Sequence, residues 1–379
     1  MGFPAGKRAV SVLAGICLGW IGLLSLAGCA EEQPPPLVEP TARPTARPTF
    51  TLRPEPSATA VRPSPTATAT ITPTPAPTRA DDVSPLTGMR VDPALLHRRV
   101  LAFRIGNDPV IRPQEGLGAA DFVYEEIMDG WTVTRFTALF LESEAERVRP
   151  LRSARLANLT MIPQYDAALV HTGASDPIRF LLSQSDIVDL DQYFHGAPYG
   201  MLTGYDWRGR MYSSTGAVRQ YLEERGWESE DLIEGYVFDV EAPSGEPATS
   251  VSIPYPAGDV EWVYDAGTGQ YLREVDGVAH TDALTGDQIG AANVILFYTV
   301  HGETDIVEDT NGATAIDIVM TGSGRAVVVR DGIQIEGEWR RTAPDQVILY
   351  WDSAGEVIPL KPGKTWIELM PPGHDVSLR

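Results

Sequence analysis

Arg149, Arg152 and Arg155 recur at every third residue around Ser153. Guanidinium groups at that density suit carboxylate or phosphate, because each presents a planar fork of donors and a charge that survives burial. Ser153 has the chemistry of an N-cap, which predicts a helix starting at Ala154 and ending before Pro163. Arginines at that end oppose the helix macrodipole, so an anion is required nearby. Two sources fit: internal carboxylates (Asp121, Glu125 or Glu126), or the acid group of a bound ligand.

The glutamates are themselves unusual. In a strand starting at Asp121, alternation puts Val123, Glu125 and Ile127 on one face, with Phe122, Tyr124, Glu126 and Met128 on the other. Each carboxylate then shares a face with apolar neighbours. Burial would raise its pKa, and Arg135 on the next strand would lower it. Glu125 and Glu126 are therefore the catalytic candidates if the chain is a hydrolase of glycosidic or amide bonds. The structural alternative pairs one with Arg135 and the other with the arginine cluster. His171 closes the apolar run Ala167–Val170 just before Gly173, at a strand carboxyl end where ligands of α/β sheets gather. Ser175 precedes Asp176-Pro177, a helix start, and so reads as a cap or turn residue rather than a nucleophile. The ligand-binding candidates are thus Arg135, Arg149, Arg152, Arg155 and His171.

Other motifs fail on spacing. Gly363-Lys364-Thr365 ends like a P-loop, but Ile358 stands where the first glycine belongs. There is no Gly-x-Ser-x-Gly elbow and no His-Glu-x-x-His, so no metal or other cofactor is expected. Asp305, Glu308, Asp309 and Asn311 form an acidic stretch without EF-hand spacing, read as a solvated turn. Trp339 and Trp366 are expected in a β core, or, if exposed as a pair, as a surface for stacking on sugars.

The elements that carry these residues predict an α+β chain. Strand-like segments run over Arg99–Ile105, Asp121–Met128, Thr132–Leu141 and Asp166–His171, and helices over Ser153–Ile162, Pro177–Gln184 and Thr215–Arg225. That order gives an N-terminal mixed α/β domain, residues 84–240. Short strands at close spacing then follow: Val260–Tyr264, Tyr271–Val275, Asn293–Val300, Ala315–Met320, Arg325–Arg330, Ile333–Trp339 and Gln346–Trp351. They give a mainly antiparallel β domain, residues 246–372.

Several segments together resemble the YerB-like family of bacterial lipoproteins, a two-part domain of unknown function. They include Ser84-Pro85-Leu86-Thr87-Gly88, Ile111-Arg112-Pro113-Gln114, Gly116-Leu117-Gly118-Ala119-Ala120-Asp121, Thr134-Arg135-Phe136 and Arg149-Pro150-Leu151-Arg152-Ser153-Ala154-Arg155. In the second half they include Tyr271-Leu272-Arg273, Gly322-Ser323-Gly324 and Gly363-Lys364-Thr365-Trp366. The resemblance spans nearly all of Ser84–Pro372 and implies a two-domain envelope lipoprotein without an established reaction. Relatives tend to carry a Pro-His-Asn-Leu-Tyr-like stretch where this chain has Arg208-Gly209-Arg210-Met211-Tyr212, so no role for that His-Asn pair transfers here.

The N-terminal end supplies an address. Lys7-Arg8 precede an apolar run that ends in Leu26-Ala27-Gly28-Cys29, which resembles a lipobox. Residues 1–28 are then a signal peptide, and Cys29 takes the lipid, a palmitate-type anchor on an extracytoplasmic membrane face. Cys17 lies in the discarded leader, so the mature chain has no cysteine pair for a disulfide. Residues 29–83 follow as a tether: 13 prolines and 11 threonines fall within residues 30–80, leaving no apolar face to bury. Fifty such residues reach roughly 150 Å if fully extended. Beyond Asp82 the body has 23 basic against 45 acidic residues, which repels nucleic acid unless a local basic pocket overrides the field. The expected function is non-catalytic binding of a small anionic or cell-wall-derived ligand. The alternatives are a wall-active hydrolase using paired carboxylates, or a scaffold that holds another envelope protein through the β domain.

Overall fold

The computed structural model describes residues 79–379; the leader, Cys29 and the tether as far as residue 78 lie outside the described residues. Residues 79–83, assigned above to the tether, belong to the folded body. Arg79 donates to the Ile233 carbonyl, and Val83 bridges Arg90.

In the first half, β1 (Leu101–Gly106), β2 (Phe122–Ile127) and β3 (Thr134–Phe140) precede α1 (Leu156–Met161), β4 (Ala168–His171), α2 (Asp176–Ser183) and β5 (Val188–Asp191). The short β6 (Gly200–Met201) and β7 (Met211–Tyr212) lead to α3 (Thr215–Arg225). The second half opens with β8 (Glu246–Pro247), β9 (Ser250–Tyr255), β10 (Gly258–Asp265), β11 (Gln270–Val275), β12 (Val278–Ala279) and β13 (Gly290–Ala291). It continues through β14 (Asn293–Tyr298), β15 (His301–Val307), β16 (Thr314–Ile318), β17 (Gly322–Arg330), β18 (Ile333–Arg341) and β19 (Leu349–Trp351). It closes with β20 (Thr365–Met370) and β21 (Ser377–Leu378).

Both halves build one mixed sheet of eleven strands, ordered β19-β18-β17-β14-β20-β2-β3-β1-β4-β5, with β8 on β18. β20 joins them. It runs parallel to β14 on one side and to β2 on the other, pairing Asn293 and Phe122 alike with Thr365. Its sequence, Thr365-Trp-Ile-Glu-Leu-Met, is buried at every position, as a central strand covered on both faces must be. Alternation cannot reveal such a strand, and the sequence reading above expects none over these residues. A smaller sheet, ordered β12-β11-β10-β9-β21 with β13 on β11, supplies Val251, Ile253, Trp262 and Tyr271 to the core.

The helix over Thr215–Arg225 matches expectation residue for residue, and α2 starts one residue early. The first helix is shorter than its caps suggested. Arg152 N–H donates to the Arg104 carbonyl, Thr172 N–H to the Arg152 carbonyl and Ala154 N–H to the Gly173 carbonyl. Residues 152–154 are thereby held extended between β1 and the turn after β4. Helix begins only at Leu156, with Arg155 in the cap position and Asn158 Oδ1 accepting from Arg155 N–H. Ser153 Oγ binds the Thr172 carbonyl and caps nothing in α1.

Several of the motifs that carry the family resemblance act as structural ties. Ser84 Oγ accepts from Leu86 and Thr87 N–H groups. Gly116 and Gly118 N–H groups bind the Asp282 carboxylate at 3.1 and 2.7 Å, fastening the first half to the second. Gly116 has φ +78°, and a Cβ there would lie 2.3 Å from the Arg147 carbonyl oxygen, so no other residue fits.

Candidate functional site

Strand alternation sorts the buried charges onto two faces of the large sheet. Toward the small sheet lie Glu125 on β2 and Glu368 directly across from it on β20. Glu125 accepts from Arg273 Nη2 at 2.8 Å, Thr134 Oγ1 at 2.6 Å and Asn107 Nδ2 at 3.2 Å. The Arg273 guanidinium sits 5.2 to 5.8 Å from the rings of Trp366, Phe136 and Trp262. It also donates to His280 Nδ1 at 2.6 Å, and His280 Nε2 reaches Gln114 Oε1 at 2.7 Å. With Nδ1 accepting and Nε2 donating, His280 is the neutral tautomer, and burial beside Arg273 pushes its pKa well down. Glu368 accepts from Tyr255 and Trp262, each at 2.8 Å; burial and then the Glu125 charge push its pKa up to about 8. Glu125, Glu368 and Arg273 are fully buried and His280 nearly so. This layer joins the sheets and is closed to ligand.

The opposite face carries Arg104 on β1, Glu126 on β2 and Arg135 on β3. Arg104 pairs with Glu126 and donates to Thr137 Oγ1 at 2.7 Å. Burial pushes the Glu126 pKa up, and the Arg104 charge opposes that shift. Over this floor runs the extended segment that bears Arg152, Ser153 and Arg155. Arg155 Nε holds both carboxylate oxygens of Asp129, at 3.0 and 2.8 Å. Arg135 is 6 % exposed, yet it donates only to the Ser153 carbonyl, at 3.1 Å, and its Nε is buried without a partner among the described residues. Burial, followed by the charges of Arg155, Arg152 and Arg104, presses its pKa well below the ordinary arginine value. Arg152 Nε is likewise buried and unpartnered, and no protein carboxylate among the described residues pairs with it. Glu308 comes from the other half of the chain, at the end of β15. Its carboxylate lies beside Ser175, with its nearest oxygen 3.7 Å from Arg155 Nε; burial pushes its pKa up, and the Arg155 charge opposes that shift. Four guanidiniums therefore share three carboxylates, and Asp108 and Asp206 act on Arg152 from a distance without pairing with it.

These positions revise the expectations in specific ways. Arg135, Arg152 and Arg155 do converge. Arg149 does not join them: it binds Glu115 at 2.7 Å and the Gly209 carbonyl at 2.8 Å, an internal pair. His171 is fully buried, with Nδ1 on the Gly173 carbonyl at 2.9 Å and Nε2 on Asp189 at 2.5 Å. It ties β4 to β5 and presents no free nitrogen. Glu125 and Glu126 fall on opposite faces, each buried against its own arginine, so they cannot flank one scissile bond. Neither glutamate is ion-paired with Arg135 or with Arg149, Arg152 or Arg155. Of the acidic stretch, Asp309 closes a turn onto Asn311 and Ala313 N–H groups, while Glu308 leaves it for Arg155. Trp339 and Trp366 are core residues. Arg104, Arg273 and Glu368 were missed, although each is a charge inside an apolar strand run, the feature that singled out Glu125 and Glu126.

The site lies at the carboxyl ends of the parallel strands β1 and β4 and is reached through the partly exposed Arg152, Ser153 and Arg155. Surface cavities of about 380 Å³ along Ser252–Pro254 and about 450 Å³ beside Pro163 and Pro344 are lined by none of the cluster's arginines. Among the described residues no helix is long and apolar enough to cross a membrane.

Two family models match the chain: the N-terminal domain of a protein of unknown function (DUF3048) over residues 86–228, and its C-terminal domain over residues 251–367. A Bacillus subtilis protein named "Putative lipoprotein YerB" is 30% identical over 301 residues, which cover 76% of this chain and 86% of that protein. The crystal structure of YerB from Bacillus subtilis superposes with a TM-score of 0.69 at 27% identity, covering 78% of this chain and 99% of that one. The arginine segment 149–155 and the glycines that grip Asp282 thus sit in a shared scaffold, and the chain belongs to the DUF3048, YerB-like family.

Proposed function

We propose that this protein is an extracytoplasmic, lipid-anchored binding protein that holds a small acidic ligand on Arg135, Arg152 and Arg155. One observation carries the reading: Arg135 and Arg152 are ion-paired to no protein carboxylate among the described residues, and each has a buried Nε–H group without an acceptor. A ligand carboxylate or phosphate supplies both the missing charge and the missing acceptors. The opposed glutamates offer no support for hydrolysis. The anchor rests on Lys7-Arg8, the apolar run and Leu26-Ala27-Gly28-Cys29, and is supported by the lipoprotein name of the Bacillus subtilis relative.

Two experiments test this. Calorimetric titration of the detergent-solubilised full chain with sodium phosphate and sodium lactate is expected to show binding that Arg152→Ala weakens at least tenfold. Because Arg152 neutralises no buried acid directly, the same change is expected to cost about 1 kcal/mol of stability or less. Titrations that stay flat for both anions, or that Arg152→Ala does not alter, remove the binding site. For the anchor, Cys29→Ser is expected to leave an unprocessed precursor. Mass spectra of the native mature protein showing an unmodified Cys29 would refute lipidation.

A further inference from the structure

We infer that the ligand of this site is a saccharide bearing a carboxylate or phosphate, with the arginines taking the acid and an aromatic rim taking the sugar ring. The inference rests on the acidic-ligand reading above and adds the rest of the ligand to it. Among the described residues every exposed aromatic side chain, Phe180, Tyr193, Phe194, Tyr205 and Trp207, lies between residues 180 and 207. Trp207 is 65 % and Tyr205 51 % exposed, and neither is loose. The Arg152 guanidinium carbon lies 5.3 Å from the Trp207 ring centre, and that of Arg149 lies 4.5 Å from the Tyr205 ring centre. Tyr205 thus rests on one arginine and Trp207 on two, since the Arg208 guanidinium carbon is also 6.0 Å from the indole centre, and the exposure that remains on both rings leaves area for a ligand. Arg149, set aside above as a direct ligand for the acid, acts here as a support: Glu115 and the Gly209 carbonyl fix it, and it fixes Tyr205.

The link between rim and site is Arg152. It belongs to the acid-binding cluster, and the indole stacks on it, so an acid at its free donors is necessarily beside Trp207. The rim is not a protein-sized apolar patch. Thr203, Gly204, Asp206, Arg208 and Arg210 interrupt it, and a stable protein interface needs a contiguous core of several hundred Å². A pyranose fits, having apolar ring faces for an aromatic plane and polar edges for the interleaved groups. The nearby Asp206 and Asp108, together with a body of 45 acidic against 23 basic residues, disfavour a long polyanion and leave room for one or two acid groups.

Matched probes separate the contributions. On the detergent-solubilised full chain, N-acetylglucosaminyl-N-acetylmuramic acid carries a lactyl carboxylate that diacetylchitobiose lacks, and N-acetylglucosamine 1-phosphate carries a phosphate instead. Sodium lactate and sodium phosphate supply the acids alone. The acidic saccharides are expected to bind at least tenfold more tightly than either chitobiose or the free acids, the tighter of the two showing which acid is preferred. Trp207→Ala is expected to abolish that tenfold advantage while lactate and phosphate still bind. Acidic saccharides that bind no better than their free acids overturn the sugar inference but leave the acid site standing. Titrations flat for every probe overturn both, including the case in which the rim serves a protein partner.

Discussion

Arg273→Ala is expected to destabilise the protein by about 3–5 kcal/mol in urea unfolding at neutral pH, among the largest single effects in the chain. The side chain is fully buried between three aromatic rings and is ion-paired to Glu125, which is equally buried. Truncation leaves a carboxylate in the interior with only Thr134 and Asn107 as donors, and with Glu368 opposite it on β20. It also opens a void beside Trp262, Trp366 and Phe136, which adds a cavity term. Replacing both partners, Arg273→Met with Glu125→Gln, is expected to recover most of the loss. The cost comes from an unanswered charge rather than from the absence of a favourable bond. A double variant whose loss equals the sum of the two single losses would show that the pair is not energetically coupled.

What could be read in advance follows from which residues carry a one-dimensional signal. α3 was legible because Ser214 caps it and Gly226 ends it, both local events. β2 and β3 were legible as runs of β-branched and aromatic residues. β20 was not, because a strand buried on both faces has no period, and its place between β14 and β2 is set by parallel pairings more than 60 residues away in sequence on one side and more than 200 on the other. The candidate site divided in the same manner. The spacing of Arg149, Arg152 and Arg155 marked an anion-seeking segment, but spacing cannot say that Glu115 neutralises Arg149 or that Glu308 arrives from the second half. Ser153 carried a valid capping signal. The backbone pairings of Arg152 and Ala154 with β1 and the β4 turn overrode it, and the extended conformation they impose is what points Arg152 at the rim. His171 looked available at a strand end until Asp189, on the neighbouring strand, took its free nitrogen.

The dependence of stability on pH gives the other large effect, and its sign follows from Glu368. Its folded pKa of about 8 lies above the ordinary 4.5, so between those values the folded chain keeps a proton that the unfolded chain releases. The associated stability is complete below about pH 4.5 and is lost as pH rises to 8, on the order of 3–5 kcal/mol in all. Asp121, raised to about 7 by burial and then by Glu142, acts in the same direction over the lower part of that range. His280 acts oppositely: held neutral by burial, it favours the fold as pH rises through the ordinary histidine range. Net stability is therefore flattened below pH 6.5, and the fall should be steepest from about 6.5 to 8. Above 8 the buried Lys364, lowered to about 8, reverses the slope, since the unfolded chain then holds the extra proton. Glu368→Gln isolates the carboxyl contribution. The amide can accept from Trp262 and donate to Tyr255, as the protonated acid does, so parent and variant should agree within about 1 kcal/mol at pH 5. At pH 8.5 the variant should be the more stable by several kcal/mol, of the order set by the linkage above. Parallel unfolding curves from pH 5 to 8.5 would place the proton elsewhere, and with it the reason that two glutamates can sit side by side at the junction of the two halves.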